Sequence, residues 1–493
     1  MSSSISSQVV GAQTPLREAM QVIETSASKI ALVVDETGRL TRTVTDGDIR
    51  RGLLRGASLT STIDALGGQP PITCPEGATD AEVEVLIDAL GVTAIVMVDR
   101  NGAPLKVVDR ASARGMTLMS PPHLGSQELE FVRAAFEDNW IAPAGPNLTS
   151  FERQLEAVSQ RAHAVAVSSG TAALHLALRC VRVRPGDRVY VSDLTFAASL
   201  QPILYEHAKP VLIDSEPDTW NMSPAALERQ LAADAAREAL PRAIIVVHIY
   251  GQSAQMGRLL DLAEQYGVPV IEDAAESLGA TYANRPSGSH GLLSAYSFNG
   301  NKIITTSGGG ALVGDDAELL DYARFLSTQG RDPHEHYQHS TVAYNYRMSN
   351  VLAGIGLGQI SLLADRVAAR RAIFERYRDG LNEIPGISFQ QEAPGSRGNR
   401  WLSVVRFDPD RIALHPFTVM RELRQSGIET RPGWKPMHMQ PLCHGYEFVP
   451  HDCEKPVSSR LFFQSLCLPS GSSLQSEEQD RIISRVRELM QDR

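Results

Sequence analysis

Lys302 and Asp273 are the two residues of this chain whose types and positions most favour chemistry. Lys302 precedes the glycine-rich residues 308–310, and Asp273 closes a segment that begins with the apolar residues 268–271. A lysine amine can form a Schiff base with pyridoxal 5'-phosphate (PLP), and a carboxylate at a strand end can pair with the pyridinium nitrogen and keep it protonated. The two residues therefore predict amine chemistry on a carbonyl substrate.

A run of small residues at 168–173, Ser-Ser-Gly-Thr-Ala-Ala, lies between a predicted strand and a predicted helix. Small side chains, hydroxyls and the free amides at a helix start can hold a phosphate dianion. The same residues can also be no more than a helix N-cap. Ser297, shortly before Lys302, is either a further phosphate contact or a solvated loop hydroxyl.

Two further side chains have positions that suit the same cofactor. Phe196 follows the predicted strand at 188–191, where an aromatic ring could stack on the pyridine ring or simply join the core. Glu276 lies about one helical turn after Asp273 if that segment is helical. It is either a hydrogen-bond partner for the O3' edge of the cofactor or a surface carboxylate.

Composition excludes several classes of protein. A length of 493 residues predicts two or three domains. The net charge of −10 and the lack of a dense basic block argue against a nucleic-acid partner. The five cysteines are scattered without a CxxC pair, which favours a reducing compartment without disulfides or a metal site. Because the chain starts without a signal-peptide pattern and has no apolar run of membrane-spanning length, we expect a cytoplasmic protein with no membrane span.

Residues 1–115 form a separate predicted module. Two strand–turn–strand units recur about 64 residues apart, which indicates an internal duplication. The run at 45–51, Thr-Asp-Gly-Asp-Ile-Arg-Arg, resembles the segment that characterises CBS domains, so the module is similar to a tandem CBS pair. The resemblance implies that Thr45 and Asp48 contact a nucleotide ribose. The second unit lacks the equivalent run, and a packing and dimerisation module without ligand is the alternative.

The remaining residues alternate between strand and helix patterns. Apolar strands are predicted at 164–167, 188–191, 210–213, 243–247 and 269–271. Such alternation predicts an α/β domain with a mostly parallel sheet, whose ligands bind beyond the carboxyl ends of the strands. We predict a large domain over residues 117–365 and a smaller C-terminal α+β domain over 366–493.

Taken together, the ordered motifs resemble the DegT/DnrJ/EryC1/StrS family of PLP-dependent nucleotide-sugar aminotransferases. The motifs are Ser-Gly-Thr-Ala-Ala-Leu at 169–174, Thr-Phe at 195–196, Glu-Asp-Ala-Ala-Glu-Ser-Leu-Gly-Ala at 272–280 and Ser-Phe-Asn-Gly-Asn-Lys at 297–302. The match continues in Tyr-Asn-Tyr-Arg-Met-Ser-Asn at 344–350 and in Arg-Pro-Gly-Trp-Lys-Pro-Met-His at 431–438. The likeness covers roughly residues 118–493 and implies fold type I, the aspartate aminotransferase fold.

This resemblance implies a role for each matched residue. Lys302 would be the Schiff-base lysine and proton shuttle, Asp273 the partner of the pyridine nitrogen, and Phe196 the stacking ring. The other implied contacts are with phosphate (Thr171, Ala172 through its amide, Ser297, and Asn345 from a neighbouring subunit), with the O3' edge (Glu276), with the carboxylate of the amino donor (Arg347) and with the sugar nucleotide (His438). A site completed by two chains implies a homodimer or a higher homo-oligomer.

The resemblance also narrows the reaction. Sugar dehydratases of this fold carry histidine at the lysine position, so Lys302 favours transamination from L-glutamate to a keto-sugar. The motif details are most similar to bacterial enzymes that aminate C4 of a UDP-linked 4-keto-6-deoxy-N-acetylglucosamine, in pathways to bacillosamine-type glycans. The alternatives are a GDP- or dTDP-linked keto-sugar aminated at C4 or C3, a nucleotide sensor with an inactive PLP fold, and a PLP decarboxylase or racemase.

Overall fold

The computed structural model describes residues 5–26, 28–67, 70–78, 80–90, 92, 94–109, 116–452 and 455–491. The chain divides into two compact units, Met1–Thr117 and Leu118–Arg493. Each unit is described by itself.

The first unit contains two copies of one small β/α arrangement. The first copy comprises β1 (Val9–Gly11), α1 (Leu16–Thr25), β2 (Ala31–Val34), β3 (Leu40–Val44) and α2 (Asp46–Leu54). The second comprises β4 (Thr73–Pro75), α3 (Asp80–Leu90), β5 (Ala94–Val98) and β6 (Pro104–Asp109).

The two copies share strand directions and an irregularity of pairing. In each, the first strand runs parallel to the second and the second runs antiparallel to the third. The register shifts once in each hairpin, between Val33 and Val34 in the first copy and between Met97 and Val98 in the second. A shared bulge position supports the predicted duplication, because such local kinks are retained features of a fold.

The second unit is built around helices and strands in alternation. Its helices are α4 (Gln127–Glu137), α5 (Pro146–Ser159), α6 (Gly170–Cys180), α7 (Gln201–Tyr205), α8 (Pro224–Ala235), α9 (Met256–Gln265), α10 (Ala317–Ser327), α11 (Asn350–Ile360), α12 (Leu363–Leu381), α13 (Pro416–Gln425), α14 (Val457–Gln464) and α15 (Ser476–Gln491). Its strands are β7 (His163–Val167), β8 (Arg188–Ser192), β9 (Lys209–Ile213), β10 (Ala243–Val247), β11 (Val270–Asp273), β12 (Thr281–Tyr282), β13 (Arg285–Pro286), β14 (Leu293–Ser297), β15 (Gly310–Gly314), β16 (Ile387–Phe389), β17 (Ser396–Arg397), β18 (Ser403–Phe407), β19 (Arg431–Pro432), β20 (Glu447–Val449) and β21 (Ser465–Leu468).

Eight of these strands form one sheet in the order β20-β9-β8-β10-β11-β14-β15-β7. The strands from β20 to β14 are parallel, and β15 is antiparallel to both β14 and β7. All five residues of β10 are buried, as expected of a strand covered on both faces. The predicted mostly parallel α/β sheet and fold type I architecture are confirmed.

The edge strand β20 lies in a different sheet from the one that its position in the sequence suggests. It comes from the predicted small domain, yet it pairs in parallel with β9 of the large sheet. Strand β17 of the same region pairs with β12 of the large domain. Strands β16, β18, β21 and β19 form a four-stranded antiparallel sheet in this order, whose apolar core includes residues of α12, α13 and α15.

A helix that crosses a bilayer needs about 20 consecutive, mostly apolar residues. Across the described part of the chain, no single helix is long and apolar enough to cross a membrane. The pair α11 and α12 passes the test together by length and composition alone, with a bend of 60° between the two helices.

Candidate active site

A cavity of about 480 Å³ lies at the carboxyl ends of the central strands. Its walls come from the ends of β11 and β14, the start of α6 and the segment around Lys302. The structure brings six of the predicted site residues together here: Thr171, Phe196, Asp273, Glu276, Ser297 and Lys302. This is the position at which open α/β sheets bind their ligands.

Lys302 projects into the cavity with little exposure to solvent. Its side chain is 12% exposed, and its Nζ lies 4.0 Å from Oε1 of Glu276 and 4.1 Å from the ring centre of Trp401. Burial lowers the pKa of Lys302, and the carboxylates of Glu276 and Asp273 offset part of that effect. A buried lysine with a lowered pKa is a suitable nucleophile and proton carrier.

Asp273 is held as a carboxylate acceptor by the ends of two elements. Ser199 Oγ donates to its Oδ2 at 2.5 Å, and the amide of Ala275 donates to its Oδ1 at 3.1 Å. Thr195 Oγ1 in turn lies 2.5 Å from Ser199 Oγ. A donor on each oxygen fixes the orientation of the carboxylate that would face a pyridine nitrogen.

Glu276 is buried and faces both the lysine and a backbone amide. Burial raises the pKa of Glu276, while Lys302 and the amide of Tyr250 act against that rise. The Tyr250 amide donates to Oε2 of Glu276 at 2.6 Å. Tyr250 adopts a left-handed conformation with φ of 57°, which aims this amide at the carboxylate.

Glu272, the residue before Asp273, anchors the end of β11 from inside the protein. Its oxygens accept hydrogen bonds from His248 Nε2 at 2.8 Å and from the amides of Gly288, His290 and Gly291. Burial acts to raise the pKa of Glu272, but the hydrogen bonds from His248 and Gly291, together with the charge interactions with His248 and His290, outweigh it and lower the pKa to about 2. The strand end that presents Asp273 is thereby fixed.

The start of α6 forms the end of the cavity that suits a phosphate. Residues 168–171 and Ser297 line it, and Ser169 Oγ accepts from the Ala172 amide at 3.0 Å as the helix N-cap. Ala172 does not line the cavity, and its amide is engaged in this cap. Thr171 and the free amides at the helix start remain suitable anion donors.

Glycine is required where α6 meets the neighbouring strands. A Cβ on Gly310 would lie 2.4 Å from the backbone nitrogen of Gly170, and a Cβ on Gly170 would lie 3.0 Å from Cβ of Ser297. The close approach of these backbones brings the helix start next to Ser297. The glycine-rich run after Lys302 therefore helps to shape the phosphate end.

Phe196 is an aromatic side chain left largely open at the cavity. It is 63% exposed, and its ring centre lies 5.7 Å from that of Trp434. An exposed aromatic ring beside Asp273 and Lys302 fits a planar heteroaromatic ligand. The lysine, the carboxylate, the ring and the helix start thus fit the parts of PLP.

Besides Ala172, three predicted residues of this unit lie outside the cavity. Arg347 forms a two-armed pair with the buried Glu152, with Nη2–Oε2 at 3.1 Å. His438 Nδ1 lies 2.7 Å from Asp193 Oδ2 and its ring stacks on Phe448. Asn345 is exposed and bridges to Thr328.

Thr45 and Asp48 line a different cavity, of about 990 Å³, in the first unit. They form a capping box at the start of α2, with Thr45 Oγ1 donating to Asp48 Oδ2 at 2.7 Å. Asp48 also pairs with Arg51 at 2.7 Å, and Arg42 and Arg55 line the same cavity. The site is therefore basic apart from one paired carboxylate.

Two residues that touch the site were not predicted from sequence. Ser199 lies in the Thr-Phe-Ala-Ala-Ser run. Its spacing of four residues from Thr195 could have indicated that the two hydroxyls meet on one turn. Trp401 had no local signal, because it reaches Lys302 from a loop between β17 and β18, far along the chain.

Comparison with known proteins agrees with this geometry. The DegT/DnrJ/EryC1/StrS aminotransferase family matches residues 122–487, and the CBS domain family matches residues 4–55, the first of the two copies. The chain is 50% identical over 366 residues to EpsN of Bacillus subtilis (strain 168), whose name describes a pyridoxal phosphate-dependent aminotransferase; the match covers 74% of this chain and 93% of EpsN.

Two further relatives extend the comparison. The GDP-perosamine synthase of Caulobacter vibrioides is 34% identical over 373 residues, covering 76% of this chain and 98% of the synthase. A crystal structure of a DegT DnrJ EryC1 StrS aminotransferase from Brucella abortus superposes with a TM-score of 0.69 at 29% identity, covering 74% of this chain and 96% of that one. The chain therefore belongs to the DegT/DnrJ/EryC1/StrS aminotransferase family, and it is a PLP-dependent sugar aminotransferase that carries a CBS domain.

Proposed function

We propose that the enzyme transfers the amino group of L-glutamate to the ketone of a nucleotide-linked 4-keto-6-deoxy sugar, with UDP-2-acetamido-2,6-dideoxy-4-keto-hexose as the acceptor, in bacterial glycan or polysaccharide synthesis. The meeting of Lys302, Asp273 and the start of α6 in one cavity carries the proposal. The alternative acceptor is a GDP-linked sugar, which the 34% identity to a GDP-perosamine synthase favours.

Lys302 is the proposed carrier of the cofactor and the residue that moves a proton. When bound, PLP supplies an electron-withdrawing ring that stabilises negative charge on the carbon bearing the amine. The Lys302 amine, once free, would take the proton from Cα of glutamate and later deliver one to the sugar carbon that receives nitrogen. Its lowered pKa supports this role, because a neutral amine is needed to accept a proton.

Asp273 and Phe196 are the proposed holders of the pyridine ring, and Thr171 and Ser297 of the phosphate. Ser199 orients Asp273 by its hydrogen bond, so that the carboxylate would face the pyridine nitrogen. Glu276 is proposed to contact the O3' edge while also facing Lys302. We propose that the Ala172 amide also donates to the phosphate, in which case it divides its hydrogen bond between the phosphate and Ser169 Oγ.

The residues outside the cavity have proposed roles at its margin. Asn345 would reach the phosphate end of a second copy of the chain, which makes the enzyme a homodimer or larger. Arg347 and His438 are already paired with Glu152 and Asp193. We propose that Arg347 contacts the carboxylate of the amino donor and that His438 lies near the sugar nucleotide, with Glu152 and Asp193 orienting these two side chains.

A panel of 4-keto sugar nucleotides with UDP, GDP and dTDP carriers, assayed by mass shift with L-glutamate, tests the substrate. We expect the UDP-linked sugar to be aminated with the highest kcat/KM and Lys302→Ala to abolish product. Preference for the GDP-linked sugar would select the alternative. Failure to bind added PLP would favour a nucleotide sensor, and turnover of amino acids without sugar would indicate a decarboxylase or racemase.

The first unit is a second candidate binding module. Its basic cavity, with Thr45 and Asp48 at the start of α2, supports the proposal that it binds a nucleotide. Calorimetry of the full chain with AMP, ATP and UDP-sugar tests this, with Asp48→Asn as the variant. No heat with any of the three would leave packing and assembly as the function of the module.

Three domains are the organisation that we propose: residues 1–115, 117–365 and 366–493. The boundary between the two compact units, at Thr117 and Leu118, supports the first division. The second division requires two exceptions, because β20 belongs to the large sheet and β17 pairs with β12. Separate thermal transitions in calorimetry of the full chain would test it.

A further inference from the structure

Trp401 makes two contacts with the segment that carries the site lysine. The face of its ring lies 4.1 Å from Lys302 Nζ, within the range of a cation–π interaction. Its indole Nε1–H donates to the carbonyl of Asn301 at 2.8 Å. One side chain therefore touches both the amine of Lys302 and the backbone just before it.

In the described part of the chain, Lys302 has one ion pair, and that pair is too long to stabilise the ammonium group fully without a second partner such as the indole ring. Nζ lies 4.0 Å from Glu276 Oε1, which is longer than an N–H···O hydrogen bond of about 2.7–3.2 Å. The amine is buried, so its positive form needs stabilisation from its surroundings. The indole face supplies this stabilisation without a further buried carboxylate.

Trp401 is itself held firmly. Its amide donates to Asn399 Oδ1 at 2.8 Å, and the Asn399 amide group donates to the carbonyls of Glu276 at 2.8 Å and Leu278 at 2.9 Å. The loop with Trp401 is thus tied to the segment with Glu276. Trp401 is 2% exposed, so the ring has little space to move.

A buried arginine completes the support. Arg370 is 1% exposed and donates to the carbonyls of Trp401 and Ser470 and to Ser120 Oγ. Ser120 Oγ in turn donates to the carbonyl of Asn301 at 2.9 Å. The carbonyl next to Lys302 therefore receives two donors, and Arg370 binds the residues that supply both.

We propose that Trp401 is a positioning residue for Lys302: its ring holds the ammonium group whenever that amine is not bonded to cofactor, and its N–H, together with Ser120, fixes the carbonyl of Asn301. This rests on the proposed function only in treating Lys302 as the cofactor-bearing residue. Because the free amine has a defined place to stay, it remains aimed at the cavity while substrate occupies it.

The first test follows the ionisation of Lys302 in the full-length protein freed of cofactor. The rate of modification of Lys302 by an amine-reactive reagent is measured against pH by peptide mass spectrometry. The other charged groups that face this amine, Glu276 and Asp273, are unchanged in all the variants. The variants are Trp401→Leu, which removes the ring face and the donor, Trp401→Phe, which keeps a ring, and Trp220→Phe as a matched control from the same aromatic cluster.

We expect Trp401→Leu to lower the pH midpoint of Lys302 by about 0.5–1 unit, from the usual size of a cation–π contact. Trp401→Phe should lower it less, and Trp220→Phe should leave it unchanged. The direction is decisive, because water entering the vacated space would instead move the midpoint upward. An unchanged or raised midpoint in Trp401→Leu, or an equal shift in Trp220→Phe, would overturn the proposal.

The second test uses milder changes and no substrate. Trp401→Phe and Ser120→Ala each remove one donor to the Asn301 carbonyl. We expect both to speed amide hydrogen exchange in a peptide spanning residues 300–306 of the cofactor-free protein, and the double variant to speed it further. If the double variant exchanges at the wild-type rate, the two donors do not fix the Asn301 carbonyl, and this part of the proposal is overturned. Neither test measures sugar turnover, so failure of the proposed substrate assignment would leave both results interpretable.

Discussion

Ser199 Oγ lies 2.5 Å from Asp273 Oδ2 and donates a hydrogen bond to it. The serine comes from the short turn after β8, whereas the aspartate ends β11, so the bond joins the carboxyl ends of two strands that have β10 between them. It leaves Asp273 with a donor on each oxygen. The cofactor's ring nitrogen would therefore meet an oriented carboxylate.

Ser199→Ala should weaken cofactor function without unfolding the enzyme. Loss of one hydrogen bond to a charged group costs about 1.5–3 kcal/mol. We expect a fall in kcat of about 10-fold or more, since 1.4 kcal/mol corresponds to a factor of ten, and weaker PLP binding in a fluorescence titration. Ser199→Thr, which keeps the hydroxyl, is the matched control. Wild-type kcat and PLP affinity in Ser199→Ala would contradict the role of this bond.

Glu276→Gln should move the pH dependence of PLP capture to lower pH. The Glu276 carboxylate raises the pKa of Lys302, so its removal lets burial lower that pKa further. The neutral amine then forms at a lower pH. The measurement is the rate of PLP association against pH in stopped-flow absorbance. Glu264→Gln, an exposed substitution on α9, serves as the control. The prediction is refuted if the PLP association rate rises at the same pH in Glu276→Gln as in the wild type.

Glu272 should stabilise the fold in a defined range of acid pH. Its pKa is lowered from 4.5 to about 2, so its contribution is present above pH 4.5 and is lost as the pH falls toward 2. The full contribution is on the order of 3 kcal/mol. We expect Glu272→Gln to have a lower Tm than the wild type at pH 7. The difference in Tm between the two proteins should become smaller as the pH falls from about 5 to 3. The same difference in Tm at pH 7 and pH 3 would show that the charge of the Glu272 carboxylate does not stabilise the fold.

Gly310→Ala should disturb the phosphate end of the cavity. The added Cβ would press on the backbone of Gly170 at the start of α6, which cannot yield as a flexible side chain would. Overpacking of this kind costs about 1–3 kcal/mol. We expect a lower Tm and weaker PLP binding. Gly308→Ala, whose Cβ would meet no atom within 4 Å, should keep the wild-type Tm, and equal Tm values for all three proteins would contradict the crowding.

The local pattern of the sequence determined the elements and the chemistry. Continuous apolar runs such as 243–247 predict buried parallel strands, and β10 has these bounds. Lys302 and Asp273 could be identified because their residue types and the motifs around them recur in a known order. Strand and helix patterns are local properties of the chain, so they can be read without the fold.

Only the tertiary structure decided which distant residues meet. Trp401 contacts the Lys302 segment across 100 residues of sequence, Arg347 pairs with Glu152, and β20 joins the large sheet instead of the small domain. Each contact depends on how several elements pack against one another, and no local periodicity records that packing. The sequence thus predicted Lys302 as the reactive lysine, while folding brought the ring of Trp401 and the carboxylates of Glu276 and Asp273 around its amine.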